Sequence, residues 1–486
     1  MQPLPICALG IHFCYCVSFE KASLYKTMTK KELLEKISSP NAGELFAQMY
    51  GPDKVAAARQ RYTALIEEMP HENYDDSQTS ESSANDEQEL RVFSAPGRTE
   101  LAGNHTDHNY GKVLAAAIQL DTVAIVRKRG DNTVFFRSAG YPGTIVRLRD
   151  ENGNPLLLPR PEEQGKTEAL VRGIAADFIR PGATVNGFTA NADSTVPPGS
   201  GLSSSAAIEV LIGRIFDCLY GNGTRSAEEI ARIGQIAEND YFGKPCGLMD
   251  QTACATGGTV AIDFSGGAAA SPQVQQINFD PAAVGYVLCI INTAGTHADL
   301  TSDYMAIPDE MKTAAAFFGK TVLAELDRET LLSLAADIRK AAGDRVLLRA
   351  LHFFDENERV DEMTAALSKM DKTTQRPIKH GTFSRFLELV NQSGDSSWQL
   401  LQNIYSPRDT KNQGISTALA VTKNFFNRQK IQGACRVHGG GFAGTIQAYL
   451  PADALEAYKN CMETLFGENS LTQLYIRPLG AVELEL

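Results

Sequence analysis

The sequence predicts an α+β protein of two domains, and three observations carry that reading. At 486 residues the chain is longer than a usual single domain. Apolar periodicity switches between strand-like and helix-like spacing without the steady βαβ alternation of a doubly wound sheet. Two glycine-punctuated loops lie far apart in the chain, each at the end of an expected strand. They are Pro197-Pro198-Gly199-Ser200-Gly201-Leu202-Ser203-Ser204-Ser205-Ala206-Ala207 and Gly439-Gly440-Gly441-Phe442-Ala443-Gly444.

Residues 1–27 fit poorly with the rest. Residues 6–19 are apolar and hold Cys7, Cys14 and Cys16, but no basic residue precedes them and the run is too short to span a bilayer. A start placed too early accounts for this leader better than a weak signal peptide. From Met28 the stretch to Ile37 reads as a helix, and residues 41–69 as two helices divided by Gly51-Pro52. Residues 71–90 carry seven acids and no Lys or Arg, the composition of a solvated loop. A strand follows at 90–94. Alternation over 121–138 around Gly130-Asp131-Asn132 predicts a β-hairpin. Residues 187–192 form another strand, and 206–220 a helix with Ala207, Val210, Leu211, Ile215 and Leu219 on one face. The later half predicts helices at 309–326, 329–341, 414–427 and 454–465. Its expected strands are 284–292, 433–437, 445–450 and 472–478. The division between domains is expected near 279/280.

Apolar content of 43% and charge of 21% are ordinary for a globular protein. A net charge of −12 argues against nucleic acid or an acidic membrane as partner. Nine cysteines, with no Cys-x-x-Cys, suit free thiols in a reducing cytoplasm. No internal repeat and no transmembrane run stands out. Nothing in the sequence requires a partner chain; a monomer suffices, and the oligomeric state stays open.

The first glycine loop has the makings of an anion cradle. Glycines let the backbone wrap a ligand closely, a helix start offers free N–H groups, and serines add hydroxyls for phosphate or magnesium. No Gly-Lys-Ser/Thr closes it, so it is not a Walker loop, and a glycine turn with a serine-capped helix is the plainer alternative. A third constellation runs from Ala95 to Gly111 and includes Arg98, Asn104, His105, Asp107 and His108 between glycines. Short polar side chains at this density suit a polyhydroxylated ligand better than a core. His105 and His108 have only Asp107 beside them, too few ligands for a zinc site.

These segments resemble the signatures of galactokinases in the GHMP kinase superfamily. The first family signature, roughly Gly-Arg-Val-Asn-Leu-Ile-Gly-Glu-His-Thr-Asp-Tyr, is followed with substitutions from Gly97 to His108. The cradle is similar to the ATP-binding motif and 439–444 to the third motif. Ala237-Glu238-Asn239-Asp240-Tyr241-Phe242-Gly243-Lys244-Pro245-Cys246-Gly247-Leu248-Met249-Asp250-Gln251 is similar to the segment bearing the catalytic aspartate. All four occur in the family's order between about Arg91 and Pro478.

The resemblance implies a ribosomal-S5-like N-terminal domain, a ferredoxin-like C-terminal domain and an active site in the cleft between them. It implies transfer of a phosphoryl group from ATP, with Mg2+, to the anomeric hydroxyl of galactose or a related hexose. Kinases for N-acetylgalactosamine and non-catalytic sugar and ATP sensors are the alternatives. Carried over position by position, Asp250 faces the anomeric hydroxyl as base or orienting group and Arg98 pairs with it. Asn104, His105, Asp107, Gly247 and Tyr304 contact the sugar. Pro198, Gly199, Ser200, Gly201, Leu202, Ser203, Ser204, Ser205 and Ala206 hold ATP, and Ser205 with Glu238 binds magnesium. Taken singly, Asp250 also reads as a helix N-cap, Tyr304 as a core tyrosine and Cys246 as a small packed residue.

The chain departs from the pattern in several places, among them Thr99-Glu100 for Val-Asn, Asn104 for Glu, His108 for Tyr and Ala443 for glycine. Asn104 stands where the family holds a hydroxyl-binding carboxylate. Asn104→Glu is therefore expected to tighten galactose about five-fold, or about 1 kcal/mol, unless Glu100 and His108 are rebuilt around the amide.

Overall fold

The computed structural model describes residues 27–70, 89–179, 184–267, 270–295, 300–369, 371 and 381–486. The leader up to residue 26 and the acidic stretch 71–88 lie outside the described residues. The first helix, α1 (Lys30–Ile37), opens on a capping box in which Thr29 and Glu32 satisfy each other's backbone N–H groups. α2 (Pro40–Tyr50) and α3 (Val55–Glu67) follow on either side of Gly51-Pro52, as expected.

These three helices cover one face of an eight-stranded sheet. Strands β1 (Arg91–Ala102), β2 (Lys112–Lys128), β3 (Thr133–Ser138) and β4 (Thr144–Arg147) are joined by β5 (Phe188–Ser194), β6 (Thr259–Asp263), β7 (Gln273–Ile277) and the short terminal β12 (Val482–Glu483). The main order is β12-β1-β2-β5-β3-β4, with β6 on the near half of β2 and β7 beyond it. The buried Asp121 of β2 receives Arg61 of α3 at 2.6 Å, Tyr50 of α2 at 2.6 Å and Arg477 at 2.8 Å. Burial pushes this carboxyl up, and the two arginines outweigh it and hold it below the usual range. Helices and chain end are thereby tied to one strand.

The hairpin expected over 121–138 does not form. β5 lies between β2 and β3, antiparallel to the first and parallel to the second. Gly187 makes this entry possible: a Cβ there would sit 1.7 Å from the Thr133 carbonyl oxygen. The turn residues instead bond to it, Gly187 N–H to Asp131 O at 2.7 Å and Arg129 N–H to Gly187 O at 3.0 Å.

On the other face lie α4 (Thr167–Ile179), α5 (Ser204–Tyr220), α6 (Ala227–Ile236) and α7 (Met249–Thr256). Their core includes Ile174, Val210, Phe216 and Ile230 against Phe136 and Phe188. The second sheet is antiparallel, ordered β11-β8-β10-β9, from β8 (Tyr286–Asn292), β9 (Ala434–His438), β10 (Thr445–Pro451) and β11 (Leu471–Leu474). Its outer face carries α13 (Gly414–Gln429) and α14 (Leu455–Phe466), as foreseen. α8 (Thr301–Ala316) begins eight residues before the expected 309 and accommodates Pro308 in its interior. The helix expected at 329–341 is two, α9 (Arg328–Ser333) and α10 (Ala335–Ala342), parted at Leu334.

Helices α4, α6 and α7 fall outside the expected set, and so do two long ones in the later half. α11 (Asp344–Ser368) and α12 (Thr382–Ser396) pack on the inner face, where Met363, Phe386 and Val390 meet Leu101 and Leu114 of one sheet and Leu288 and Tyr449 of the other. Polar residues on their buried sides, Arg349, His352 and Glu356 on α11 and Ser393 and Ser396 on α12, interrupt the apolar spacing. Those polar groups bond into the first glycine-bounded segment. Glu356 accepts from Gly103 N–H at 3.1 Å and His352 Nε2 meets Asn104 O at 3.0 Å.

Candidate active site

β1 carries the first group of site residues, and its irregularities aim them. The pairing of β1 with β2 slips between Pro96 and Arg98 and again between Glu100 and Ala102. Bulges of this kind re-aim side chains. At the first slip Gly97 passes so close to the cradle that a Cβ would lie 2.7 Å from Leu202 O, while Arg98 N–H donates to that carbonyl at 3.1 Å. The Arg98 guanidinium then grips Asp250 Oδ1 through Nε at 2.8 Å and Nη2 at 2.7 Å, and also donates to Gly201 O.

Asp250 is the second residue of α7, and its side chain does not cap that helix. Its other oxygen accepts the Ser203 hydroxyl. Burial would raise this carboxyl, yet Arg98 and the Ser203 hydroxyl prevail and hold it below the ordinary carboxylate range. About a third of the side chain (31%) is exposed, so an ionised oxygen faces the cavity.

The cradle divides its work. Pro198 and Gly199 are exposed at the rim, and Ser200 turns its hydroxyl back to Pro197 O at 2.6 Å. Leu202 and Ala206 are buried in the core and offer only backbone. Gly201 rests against His438, whose imidazole bridges Thr99 at 3.0 Å and Thr445 at 3.1 Å. Ser203 adopts the left-handed conformation (φ 59°) and spends its hydroxyl on Asp250, leaving the first-turn N–H groups of α5 without a side-chain cap. Ser204 opens the helix, and Ser205 Oγ points at Glu238 Oε1, 3.3 Å away. Glu238 sits on a π-helical turn (Ala237–Phe242), a geometry frequent at functional sites.

The remaining residues form a cavity of about 90 Å³ beside Asp250. Arg98, Asn104, His105, Asp107, Gly247, Asp250 and Tyr304, all named from the sequence, line it, and so does Glu238. Gly247 is required by close approach, since a Cβ would meet Asp107 Oδ2 at 1.8 Å. His105 stands at positive φ (62°) with Nε2 on Gly440 O at 3.0 Å, so that nitrogen carries the hydrogen and Nδ1 is left as an acceptor. Burial, aided by His108, lowers its pKa to about 3 and keeps the ring neutral. Tyr304 is no core residue. Its hydroxyl meets His108 Nε2 at 3.1 Å, and its ring lies 5.0 Å from that of His105.

Asn104 is more committed than its sequence position suggests. Its Nδ2 donates to Gly439 O at 2.8 Å and Glu100 Oε1 at 3.1 Å, and its Oδ1 accepts from Asn403 Nδ2 at 2.8 Å. One lone pair of Oδ1 remains for a ligand. Glu100 pairs with the fully buried Arg436 and lines the same cavity. Burial still pushes its carboxyl up against the pull of Arg436 and Arg98.

Sequence reasoning missed Glu100 as a site residue, along with Arg436, Asn403, Lys244, Gln251 and Glu209. Lys244 Nζ lies 3.0 Å from Glu238 Oε1. The signal for Lys244 and Gln251 was present, since both stand inside the aspartate segment. Asn403 and Arg436 belong to no motif.

Comparison with known proteins places this geometry in a family. The family model "GHMP kinases N terminal domain" matches residues 169–258, and "Galactokinase galactose-binding signature" matches residues 81–128. The chain is 30% identical over 391 residues to a galactokinase of Glaesserella parasuis, covering 79% of this chain and 90% of that one. A Streptomyces coelicolor galactokinase is 30% identical over 385 residues, with 78% and 89% covered. Among solved structures, Lactococcus lactis galactokinase complexed with galactose aligns with a TM-score of 0.66 at 23% identity, covering 88% of this chain and all of that one. Methanococcus jannaschii mevalonate kinase aligns at 0.52 and 15% identity, with 79% and 98% covered. With its fold, its paired Arg98 and Asp250 and these relatives in agreement, the chain belongs to the galactokinase family of GHMP kinases.

Proposed function

We propose that this protein transfers the γ-phosphoryl group of ATP to the C1 hydroxyl of galactose, giving galactose 1-phosphate and ADP. The observation that carries the reading is Asp250, ionised and fixed by Arg98 and Ser203, between the polar cavity and the uncapped start of α5. Phosphoryl transfer depends on positioning and on charge stabilisation, and both are built in. Asp250 accepts the hydrogen bond of the C1 hydroxyl and aims its oxygen. A carboxyl held this low is a weak base, so its role is to orient the nucleophile and take the proton late. Arg98 balances the charge of Asp250 and of the phosphoryl group in flight. Asp107, His105 and the free lone pair of Asn104 accept sugar hydroxyls, and Tyr304 closes the cavity.

The Ser203–Ala206 turn offers N–H groups to the polyphosphate, as helix starts do. Ser205 and Glu238 fit magnesium: both are hard oxygen donors, 3.3 Å apart, at the phosphate end of the cavity. Magnesium takes few protein ligands and keeps waters and phosphate oxygens as the rest. When bound there it neutralises phosphate charge. Lys244, whose side chain is largely exposed, adds a second cation at the same place. The six cysteines among the described residues are all free, which suits a reducing cytoplasm.

ADP release measured across a sugar panel tests the reading. Galactose should drive turnover, with the product phosphorylated at C1. Phosphate at C6, or no sugar-dependent ADP from any hexose, contradicts it.

A further inference from the structure

Behind the serine and carboxylate of the phosphate end lies a buried polar cluster that the reaction described above does not use. Gln251 follows Asp250 on α7 and is fully buried. Both hydrogens of its Nε2 are committed: one to Glu238 Oε2 at 3.0 Å, the other to Glu209 Oε2 at 2.9 Å. Glu209 is also fully buried, and it stands one helical turn after Ser205 on the same face of α5. The two oxygens of Glu238 therefore have separate duties. Oε2 is fixed from behind by Gln251, while Oε1 faces Ser205 at 3.3 Å and Lys244 at 3.0 Å.

A carboxylate on a π-turn could otherwise rotate and present either edge. The Gln251 amide prevents this from α7, the helix that also presents Asp250, and it braces against α5, the helix that presents Ser205. Three elements thus meet at one side-chain amide. Among the described residues, Gln251 Oε1 and Glu209 Oε1 are themselves buried without hydrogen-bond partners. A site that tolerates two such unpaired atoms is under a demand other than stability.

We infer that Gln251 is a positioning residue of this kinase: its amide, braced on Glu209, holds Glu238 with Oε1 turned toward Ser205 so that the pair can take a divalent cation. The inference rests on Ser205 and Glu238 as the cation's protein ligands. It assigns to Gln251 and Glu209 a role in cation binding and none in contact with sugar.

The test uses the full chain and Mn2+ as probe, titrated in the presence of saturating ADP and followed by loss of the free-ion EPR signal. Gln251→Leu removes both hydrogen bonds at similar volume. It should weaken Mn2+ binding at least ten-fold while the KM for galactose stays within two-fold. Glu209→Gln keeps an oxygen acceptor for the Gln251 amide and should stay within three-fold of wild type. Wild-type Mn2+ affinity in Gln251→Leu overturns the inference. So does a Glu209→Gln loss as large as that of Gln251→Leu, because charge and not amide positioning would then control the site. If Gln251→Leu does not fold, Gln251→Asn, too short to reach both carboxylates, carries the same expectation and the same refutation. Ser205→Ala separates the two readings. Unchanged Mn2+ binding there removes the cation site itself, whereas a loss there with none in the Gln251 variants overturns only the positioning role.

Discussion

Asn104→Glu restores the residue that the family signature holds at this position, and the structure reverses the benefit expected from sequence. The amide now donates to Gly439 O at 2.8 Å and to Glu100 Oε1 at 3.1 Å, in a side chain only 1% exposed. A glutamate has no donor for either. Leaving the buried Gly439 carbonyl unpaired costs about 1–3 kcal/mol. A second carboxylate facing Glu100 at such range adds repulsion of about 4 kcal/mol at an effective dielectric near 20, unless one of them takes up a proton. Against this stands a gain of about 1 kcal/mol from a charged acceptor toward the sugar. The loss wins. Asn104→Glu should lower kcat/KM for galactose at least ten-fold and reduce the thermal midpoint.

The family signature has Asn at the position of Glu100 and Glu at that of Asn104, so the two residues are exchanged here. The double variant Glu100→Asn/Asn104→Glu returns one carboxylate and one amide to the pair, leaving Arg436 a partner within reach. It should recover at least ten-fold of what the single variant loses, a coupling of about 1.4 kcal/mol or more in a double-mutant cycle. Steady-state kinetics with galactose and thermal melts of the four proteins are the assay. An Asn104→Glu enzyme with tighter galactose binding and an unchanged melt refutes this reasoning.

Three other outcomes follow from the site. Gly247→Ala drives a Cβ into Asp107 and should raise the KM for galactose at least ten-fold in a folded protein; an unchanged KM means that Asp107 does not bind sugar. Asp250 has its pKa depressed, so its charge persists above the ordinary carboxylate value near 4 and is lost only below it, while His105 stays neutral down to about pH 3. Galactose kcat/KM should thus show no inflection from either group between pH 5 and 8, and a carboxyl carbon-13 NMR titration that places the Asp250 inflection in that window contradicts the assignment. Lys244→Met removes a cation beside Glu238 and should raise the KM for Mg–ATP about five-fold, or about 1 kcal/mol, with galactose unaffected; no change makes Lys244 a surface residue only.

What the sequence made legible was whatever a short stretch determines by itself. The cradle, the Gly97–His108 segment and the Glu238–Asp250 segment each keep their residues within one short run of chain, so their spacing alone signals the chemistry. The first sheet was less readable because β5 reaches β3 only through the missing Cβ of Gly187, a contact that alternation over 121–138 cannot show. α11 and α12 were hidden because they bury Arg349, His352, Glu356 and Ser393 where periodicity looks for apolar residues. Asn104 illustrates the same limit inside the site. Its type suggested a free hydroxyl acceptor, but its partners Gly439 and Asn403 stand some three hundred residues away.

The central claim, that an ionised Asp250 orients the C1 hydroxyl of galactose for transfer from ATP, is met most directly by Asp250→Asn. Its turnover with galactose and Mg–ATP is followed by phosphorus NMR, and galactose and nucleotide binding by calorimetry. Asn keeps the shape and removes the charge that Arg98 and Ser203 hold in place. Galactose 1-phosphate is the expected wild-type product, with kcat lowered about 10²-fold or more in the variant and galactose affinity nearly unchanged. Turnover within a few-fold of wild type, or a product phosphorylated elsewhere on the sugar, contradicts it.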